Sequence, residues 1–509
     1  MLKVESYKKG IVLSTGFNIL NKGLVFLNGL MVAYFFGVTH STDFFFYIYN
    51  SVAILGVFFT AMNSSVIIPE SMRIRSTEGN DKAVEFLNFF ILLYGGFMLI
   101  ALSLVLIDPI SFFSTVSNFK RGQLLDNRAL LYLSLPLFGL IFLINLLIDI
   151  LSSYKFFTIS MIVGIVNGIF SILFIVLFHK GAGIQSVFYG MLLAYFLNLG
   201  LLTFLMIKYL NWKFHFKKPL RSKRIWSNLG FAQLGNLASS LSLYAPIYIL
   251  SGFSAGIITA LSFAQQISSL PATLIIYQFS SVVGIKFNEL YAEKKYKEIN
   301  TIFLSTANFL IFIVLPISGL CFLFSDQIII ILLKRGKFDE TGIAYASLFL
   351  KYLVLLLPFI VINTLFARLF MASHKIKEAF WYQTISNVLL IGAMYFSIHK
   401  FGIIGYPASI LGMYLLNTIF CYFLEKKYFK IINYKKVLVN LSVFSAINLI
   451  IATLIYLLMR RLAINSELGI LIIGSVAYLA MLATVAFKFN LNETLNALMK
   501  QFLQKTRFQ

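Results

Sequence analysis

The sequence predicts an all-α polytopic membrane protein of about fourteen transmembrane helices, with two six-helix lobes around a central cavity and two further helices after them. Three observations predict it. Hydrophobic residues make up 59% of the 509 and charged residues 12%, and mean hydropathy is +0.87, whereas soluble domains run about 45–50% apolar and about 25% charged. Apolar runs of about twenty residues or more recur from end to end, continuous rather than alternating, which is the patterning of helices and not of a barrel. The basic residues, finally, are sorted between alternate loops.

The lead MLKVESYKKG is basic and runs into a first helix too long for the core of a cleavable signal. Spans follow at 11–37, 44–68, 85–108, 129–151, 157–178 and 187–207. The longest strongly basic loop, IKYLNWKFHFKKPLRSKRIW over 207–226, separates them from spans at 227–252, 256–285, 300–324, 344–372, 379–398 and 406–424. Spans at 437–459 and 469–487 follow as a pair. This divides the chain into a first lobe with its basic loop (1–226), a second lobe (227–436) and an appended segment (437–509). In that segment Leu491, Leu495, Leu498 and Phe502 have the spacing of a short interfacial helix. Two six-helix lobes meeting at a central site is a transporter plan; no residue-level repeat between the halves is visible.

With the N-terminus inside, cytoplasmic segments hold 29 of the 42 Lys and Arg and outer loops hold 10. That asymmetry places both termini in the cytoplasm. The net charge of +23 therefore reflects topology and contact with anionic lipid, not nucleic acid. The chain has no phosphate-binding glycine loop, no histidines spaced as metal ligands and no Gly-x-Ser-x-Gly elbow. Asp108 and Asp149 fall at span ends and are expected to be solvated. Cys321 and Cys421 lie in separate apolar runs and read as packing residues. The chain is not expected to be an enzyme, to hold a metal or to need a cofactor.

The polar residues inside spans are the informative ones. On the first span Asn18, Asn21, Lys22 and Asn28 fall within about 120° at 100° per residue. Gln233, Asn236, Ser240 and Tyr244 share a face of span seven, and Ser262, Gln265, Gln266, Ser269 and Thr273 one of span eight. Span two adds Tyr47 and Asn50 near one end and Asn63, Ser64 and Ser65 near the other. Such residues also serve as interhelical glue, at about 0.6 kcal/mol each. Their recurrence on the first helices of both halves favours a shared hydrated cavity. Lys22 would be its interior cation, tolerated despite a cost of roughly 2.5–3.5 kcal/mol at a bilayer centre because it meets an anion.

The run 29–71 resembles the opening signature of the MviN/MurJ-like lipid II flippases: Phe36-Gly37, then Thr42-Asp43-Phe44-Phe45, then a small and polar stretch closing at Pro69. LLKRGKFDETG (332–342) resembles that family's Arg/Tyr-Gly-x-Phe loop, and FARLFMASHKIKEA (366–379) its Arg-x-Phe-Tyr-Ala segment. The resemblance covers nearly the whole chain in order, and fourteen spans agree with it. Against the family's cavity arginines on spans one, two and eight, this chain has Lys22, Asn28, Gly56 and the pair Gln265-Gln266, so one cation remains. Arginine clamps suit pyrophosphate by a bidentate geometry that glutamine lacks.

The resemblance implies a flippase of the multidrug/oligosaccharidyl-lipid/polysaccharide superfamily in a bacterial cytoplasmic membrane. Such a protein carries a polyprenyl-pyrophosphate-linked glycan from the inner to the outer leaflet by alternating access. Lys22 would attract the pyrophosphate, with Asn18, Asn21, Asn28, Asn50, Gln233, Asn236, Gln265 and Gln266 as substrate-binding residues and Asp43 in the outer gate. Spans 13 and 14 would form the groove for the lipid tail. The partners implied are the lipid-linked glycan, anionic lipids and glycan-assembly proteins of the envelope. Lipid II and an O-antigen or exopolysaccharide unit both fit the altered cavity. A proton-coupled drug antiporter would need an acidic residue deep in a span. A non-transporting scaffold is the remaining alternative.

Overall fold

The computed structural model describes residues 7–215, 223–373, 375–462 and 466–488. The interfacial helix expected over 491–502 lies outside them. All fourteen apolar runs fall on helix. Among the described residues, eleven helices are long and apolar enough to cross a membrane, or twelve if one bent pair counts as a single span. The difference from fourteen has two sources. One continuous stretch, Lys377–Phe429, contains two of the expected spans, and the helix Lys223–Leu250 is too polar to qualify.

The chain divides into two units. The first takes Met1–Thr259 together with Arg335–Gly342 and Gln383–Tyr395. Its helices are α1 (Tyr7–Phe36), α2 (His40–Met62), α3 (Ile68–Thr77), α4 (Asn80–Ile107), the short α5 (Pro109–Val116) and α6 (Arg121–Asp126), α7 (Arg128–Ser153), α8 (Ile159–Ala182), α9 (Gln185–Leu210) and α10 (Lys223–Leu250), followed by the start of α11 (Ile257–Pro271). Within this unit α10 packs along α2. Small residues set how closely helices approach. A Cβ on Gly190 of α9 would meet the Phe170 carbonyl and Ser171 Cα of α8. Thr39 caps α2 with a reciprocal Thr39–Thr42 bond pair.

The second unit takes Ala260–Lys334, Ile343–Tyr382 and Phe396–Gln509. It holds the rest of α11, then α12 (Tyr277–Ala292), α13 (Tyr296–Leu323), α14 (Ser325–Leu333), most of α15 (Glu340–Val354), α16 (Leu357–Ala372), parts of α17 (Ile376–Phe401), α18 (Gly405–Leu424), α19 (Tyr434–Arg461) and α20 (Glu467–Lys488). α15 and α16 meet at a 46° bend. Its aromatic core stacks Phe287 on Phe303 and sets Phe366 against Phe370, Phe429 and Tyr434. In each half a π turn interrupts a long helix, at Asn63–Ile67 between α2 and α3 and at Ala272–Ile276 between α11 and α12. Single π turns of this kind concentrate at functional positions.

Candidate functional site

The polar residues of α1 separate into two groups. Asn21 lies over Gly164 of α8, where a Cβ would overlap its amide, and Asn28 accepts a 3.1 Å hydrogen bond from the Ser171 hydroxyl of the same helix. Both therefore point into the α1–α8 seam, and the Oδ1 of Asn21 is buried there without a hydrogen-bond partner. Lys22, one residue along and about 100° around the helix, is exposed instead. It makes no hydrogen bond or ion pair with any described residue. The Asn18 side chain lies outside the described residues.

Asn50 of α2 is half-buried, as are Gln233 and Asn236 of α10. Both polar atoms of the Gln233 amide are buried and unpartnered among the described residues, an arrangement that costs roughly 1–3 kcal/mol per group. Further along α10, Ser239 accepts from Gln383 Nε2 and Asn387 Nδ2 of α17, each at 3.0 Å, and Ser242 donates to Asn387 Oδ1 at 3.1 Å. Sequence reasoning missed this α10–α17 polar seam. Its signal was the i, i+4 pair Gln383 and Asn387. In the second unit Gln265 donates to the Tyr406 hydroxyl at 3.1 Å and Gln266 is half-buried. Gly56, which stands where the family resemblance places an arginine, faces α7. A Cβ there would come within 3.1 Å of Asn145 Nδ2 and 3.2 Å of Ile141 Cγ1.

Asp43 is 3% exposed. Its carboxylate accepts the Gly256 N–H at 2.6 Å, the Thr259 N–H at 2.8 Å and the Thr259 hydroxyl at 2.6 Å. It thereby satisfies the free N–H groups at the N-terminus of α11, where helix geometry leaves donors unpaired and favours a negative charge. The same end of the unit brings together the first two quoted motifs. The Lys337 N–H donates to the Tyr34 carbonyl at 3.0 Å. Gly37 and Gly336 both have positive φ, +65° and +67°, and a Cβ on either would strike the other segment's carbonyl, of Lys337 or of Tyr34. Val38 fits between Gly256 and Gly342. The α1–α2 turn, the α10–α11 turn and the loop 335–342 are thus joined by backbone contacts, with glycines where only glycine fits. Nearby, the Tyr47 and Tyr244 hydroxyls contact each other and both donate to the Val116 carbonyl.

Asp108 is exposed and caps α5 through Ser111, as its sequence position suggests. Asp149 is not solvated in that way. It is half-buried and accepts 2.8 Å from Asn63 Nδ2, because the π turn at Asn63 directs that side chain onto α7. In the second unit, α19 and α20 enclose an apolar groove of about 520 Å³ lined by Ile447, Ile450, Leu454, Ala480, Met481 and Thr484 among others. Arg368 of α16 rests against Gly284 and donates to Ser281 of α12 at 3.2 Å.

The family described as Lipid II flippase MurJ matches residues 32–477 of this chain. The probable lipid II flippase MurJ of Borreliella burgdorferi is 24% identical over 430 residues, 82% of this chain and 82% of its own. That of Buchnera aphidicola subsp. Schizaphis graminum is 25% identical over 337 residues, 62% of this chain and 63% of its own. Among solved structures, lipid II flippase MurJ in an inward closed conformation superposes with a TM-score of 0.78 at 21% identity, over 94% of this chain and 99% of that one. An inward-facing multidrug-resistance MATE transporter of the MOP superfamily gives 0.62 at 14% identity, over 80% and 95%. These two likenesses show a common fold.

Proposed function

The chain belongs to the lipid II flippase MurJ family, a family of transporters and not of enzymes, and from that premise we propose that it carries a polyprenyl-pyrophosphate-linked glycan, lipid II or a close relative, from the inner to the outer leaflet of a bacterial cytoplasmic membrane. The observation that carries this reading is Lys22, a lysine in a membrane helix, exposed and unpaired among the described residues. A cation kept there without a protein partner is costly unless an anion arrives, and pyrophosphate is the anion of the cargo. The amides of Gln233 and Asn236 supply neutral hydrogen-bonding groups suited to sugar hydroxyls. The α19–α20 groove supports the assignment of a lipid-tail site, since its walls are apolar. The positive-inside asymmetry supports cytoplasmic termini.

A second reading, export of an O-antigen or exopolysaccharide unit, is favoured by Asn28, Gly56 and Gln265-Gln266 where the resemblance places arginines. Complementation of cells depleted of their own lipid II flippase separates the two. Rescue by wild type and Lys22→Arg but not Lys22→Ala, at equal membrane levels, is the expected result for lipid II with Lys22 as the phosphate site. Failure of well-expressed wild type to rescue moves the cargo to the other glycan. Equal rescue by Lys22→Ala removes Lys22 from the site.

A further inference from the structure

Within the first unit, α2, α4, α5, α7 and α10 enclose an apolar cavity of about 480 Å³ that the cargo reading does not use. Its floor is α2 and α7, where the Phe59 and Phe142 ring centroids lie 4.1 Å apart and Leu135 is buried. Met98 of α4 fits against α7 because position 139 is glycine, where a Cβ would come within 2.4 Å of the Met98 Cγ. Phe112, Phe113 and Val116 close the cavity at the α5 end. Beyond the other end, Phe89 and Phe90 of α4 contact Trp226 of α10, with ring centroids 6.3 and 6.5 Å apart. Between those ends α4 and α10 form two sides. Side chains on both line the cavity and are also exposed: Phe97 at 54%, Leu237 at 45% and Leu241 at 47%. The cavity therefore opens sideways between α4 and α10, toward the phase that Leu93, Ile100 and Leu104 of α4 also meet. For a helix with the length and hydropathy of a membrane span, that phase is hydrocarbon.

No Lys, Arg, His, Asp or Glu is among the described residues that line it. Of its four hydroxyl-bearing residues, three are spent on backbone carbonyls: Tyr47 and Tyr244 on that of Val116, and Ser51 on that of Tyr47 at 2.7 Å. An apolar cavity of this kind stays dry, and left empty it forfeits the dispersion contacts of its lining. Its dimensions select the occupant. From Tyr47 to Phe59 the lining follows α2 for about 18 Å at 1.5 Å per residue, and one leaflet of a bilayer core is about 15 Å thick. A cavity of about 150 Å³ lined by Leu, Ile and Phe takes one benzene, so this one has room for about three such volumes, a single hydrocarbon chain and not two. We propose that the cavity between α4 and α10 is a binding site for one acyl chain of a bilayer phospholipid. With no charged group in its wall, the site reads the tail and leaves the headgroup outside. It belongs to the first unit, whereas the α19–α20 groove belongs to the second, and it stands whichever glycan is carried. A tail held there packs on α2 and fills the gap between α4 and α10, so the tail composition of the membrane bears on the stability of the first unit.

The test is photolabelling of the purified full-length protein in detergent micelles that carry a phosphatidylcholine with a diazirine on one acyl chain, the adducts being located by peptide mass spectrometry. Adducts on the floor residues Leu55, Leu135 and Phe142 are expected. Unlabelled phosphatidylcholine and phosphatidylglycerol of equal tail length should compete alike. Ala101→Trp projects into the cavity from α4 and should lose the floor adducts, whereas Ile100→Trp, on the outward face of the same helix, should keep them. If Ala101→Trp does not fold, competition on the wild type decides: phosphatidylcholine with much shorter tails should compete severalfold less. Adducts confined to outward-facing residues of α4 and α10, unchanged floor labelling in a folded Ala101→Trp, or competition that follows the headgroup would each overturn the proposal. Stronger competition by a polyprenyl phosphate than by the phospholipids would overturn it in favour of the cargo's own tail. None of these readouts requires transport, so the cargo reading can fail and leave them intact.

Discussion

The Asp43 carboxylate receives both the backbone N–H and the hydroxyl of Thr259, at 2.8 and 2.6 Å, across 216 positions of sequence. With Gly256 it gathers three donors in a site only 3% exposed. Asp43→Ala leaves all three unpaired and should destabilise the protein by about 3 kcal/mol or more, since hydrogen bonds to charged groups are worth about 1.5–3 kcal/mol each. Asp43→Asn keeps the shape but sets an N–H₂ against one of the N–H groups, so it should be damaging too, though less. Denaturant unfolding of the purified variants reads the difference. An unfolding midpoint for Asp43→Ala equal to wild type would mean the contact does not hold α11 in place.

The glycines at Gly37 and Gly336 make a sharper claim about the same end of the unit. Each has positive φ, and each faces the other segment's backbone carbonyl. Alanine at either position carries the left-handed penalty of about 1–2 kcal/mol plus a steric overlap that a backbone shift must relieve. Gly336→Ala should lower Tm and free the loop 335–342, which hydrogen exchange at the Lys337 amide would report as lost protection. Gly79→Ala is the control, because its φ is also positive, +96°, but nothing lies within 4 Å of its added Cβ; it should show the conformational penalty alone.

Tyr47 and Tyr244 share one acceptor, the Val116 carbonyl. Either phenylalanine substitution leaves that carbonyl with the other hydroxyl, so each should cost no more than about 0.5–1.5 kcal/mol. The double substitution leaves the carbonyl with neither and should cost more than the two singles together. A double-mutant cycle on unfolding free energy measures that excess. Strict additivity would show that the two hydroxyls do not share the acceptor.

Continuous apolar runs made the helices legible, because hydropathy alone determines where a backbone can cross lipid. Side-chain direction was legible only in part. The stripe of Asn21, Lys22 and Asn28 looks like one face when a wide arc is allowed, yet Asn21 and Asn28 lie about 20° apart at 100° per residue and both turn into α8, leaving Lys22 outside it. Asp149 was misread as a solvated span end because nothing local announces Asn63, 86 positions away, as its partner. The π turn that brings Asn63 there has no sequence signature of its own. Asp43 was singled out through a family resemblance; that it caps α11 became visible only when the two segments met in the fold.

The α19–α20 groove offers a test of the tail assignment that leaves the charged residues untouched. Ala480 lines it together with Leu454 and Met481, and the groove's volume of about 520 Å³ is contained by these apolar walls within the second unit. Tryptophan at position 480 would occupy part of that space without adding charge or removing a hydrogen bond. Ala480→Trp should reach the membrane at wild-type levels but lose most of its transport of a cargo with a full-length prenyl chain, while keeping more activity toward a short-chain analogue that does not extend into the groove. The selectivity is the informative quantity: general loss of activity toward both cargoes would indicate damaged packing between α19 and α20, whereas full activity toward both would place the tail elsewhere.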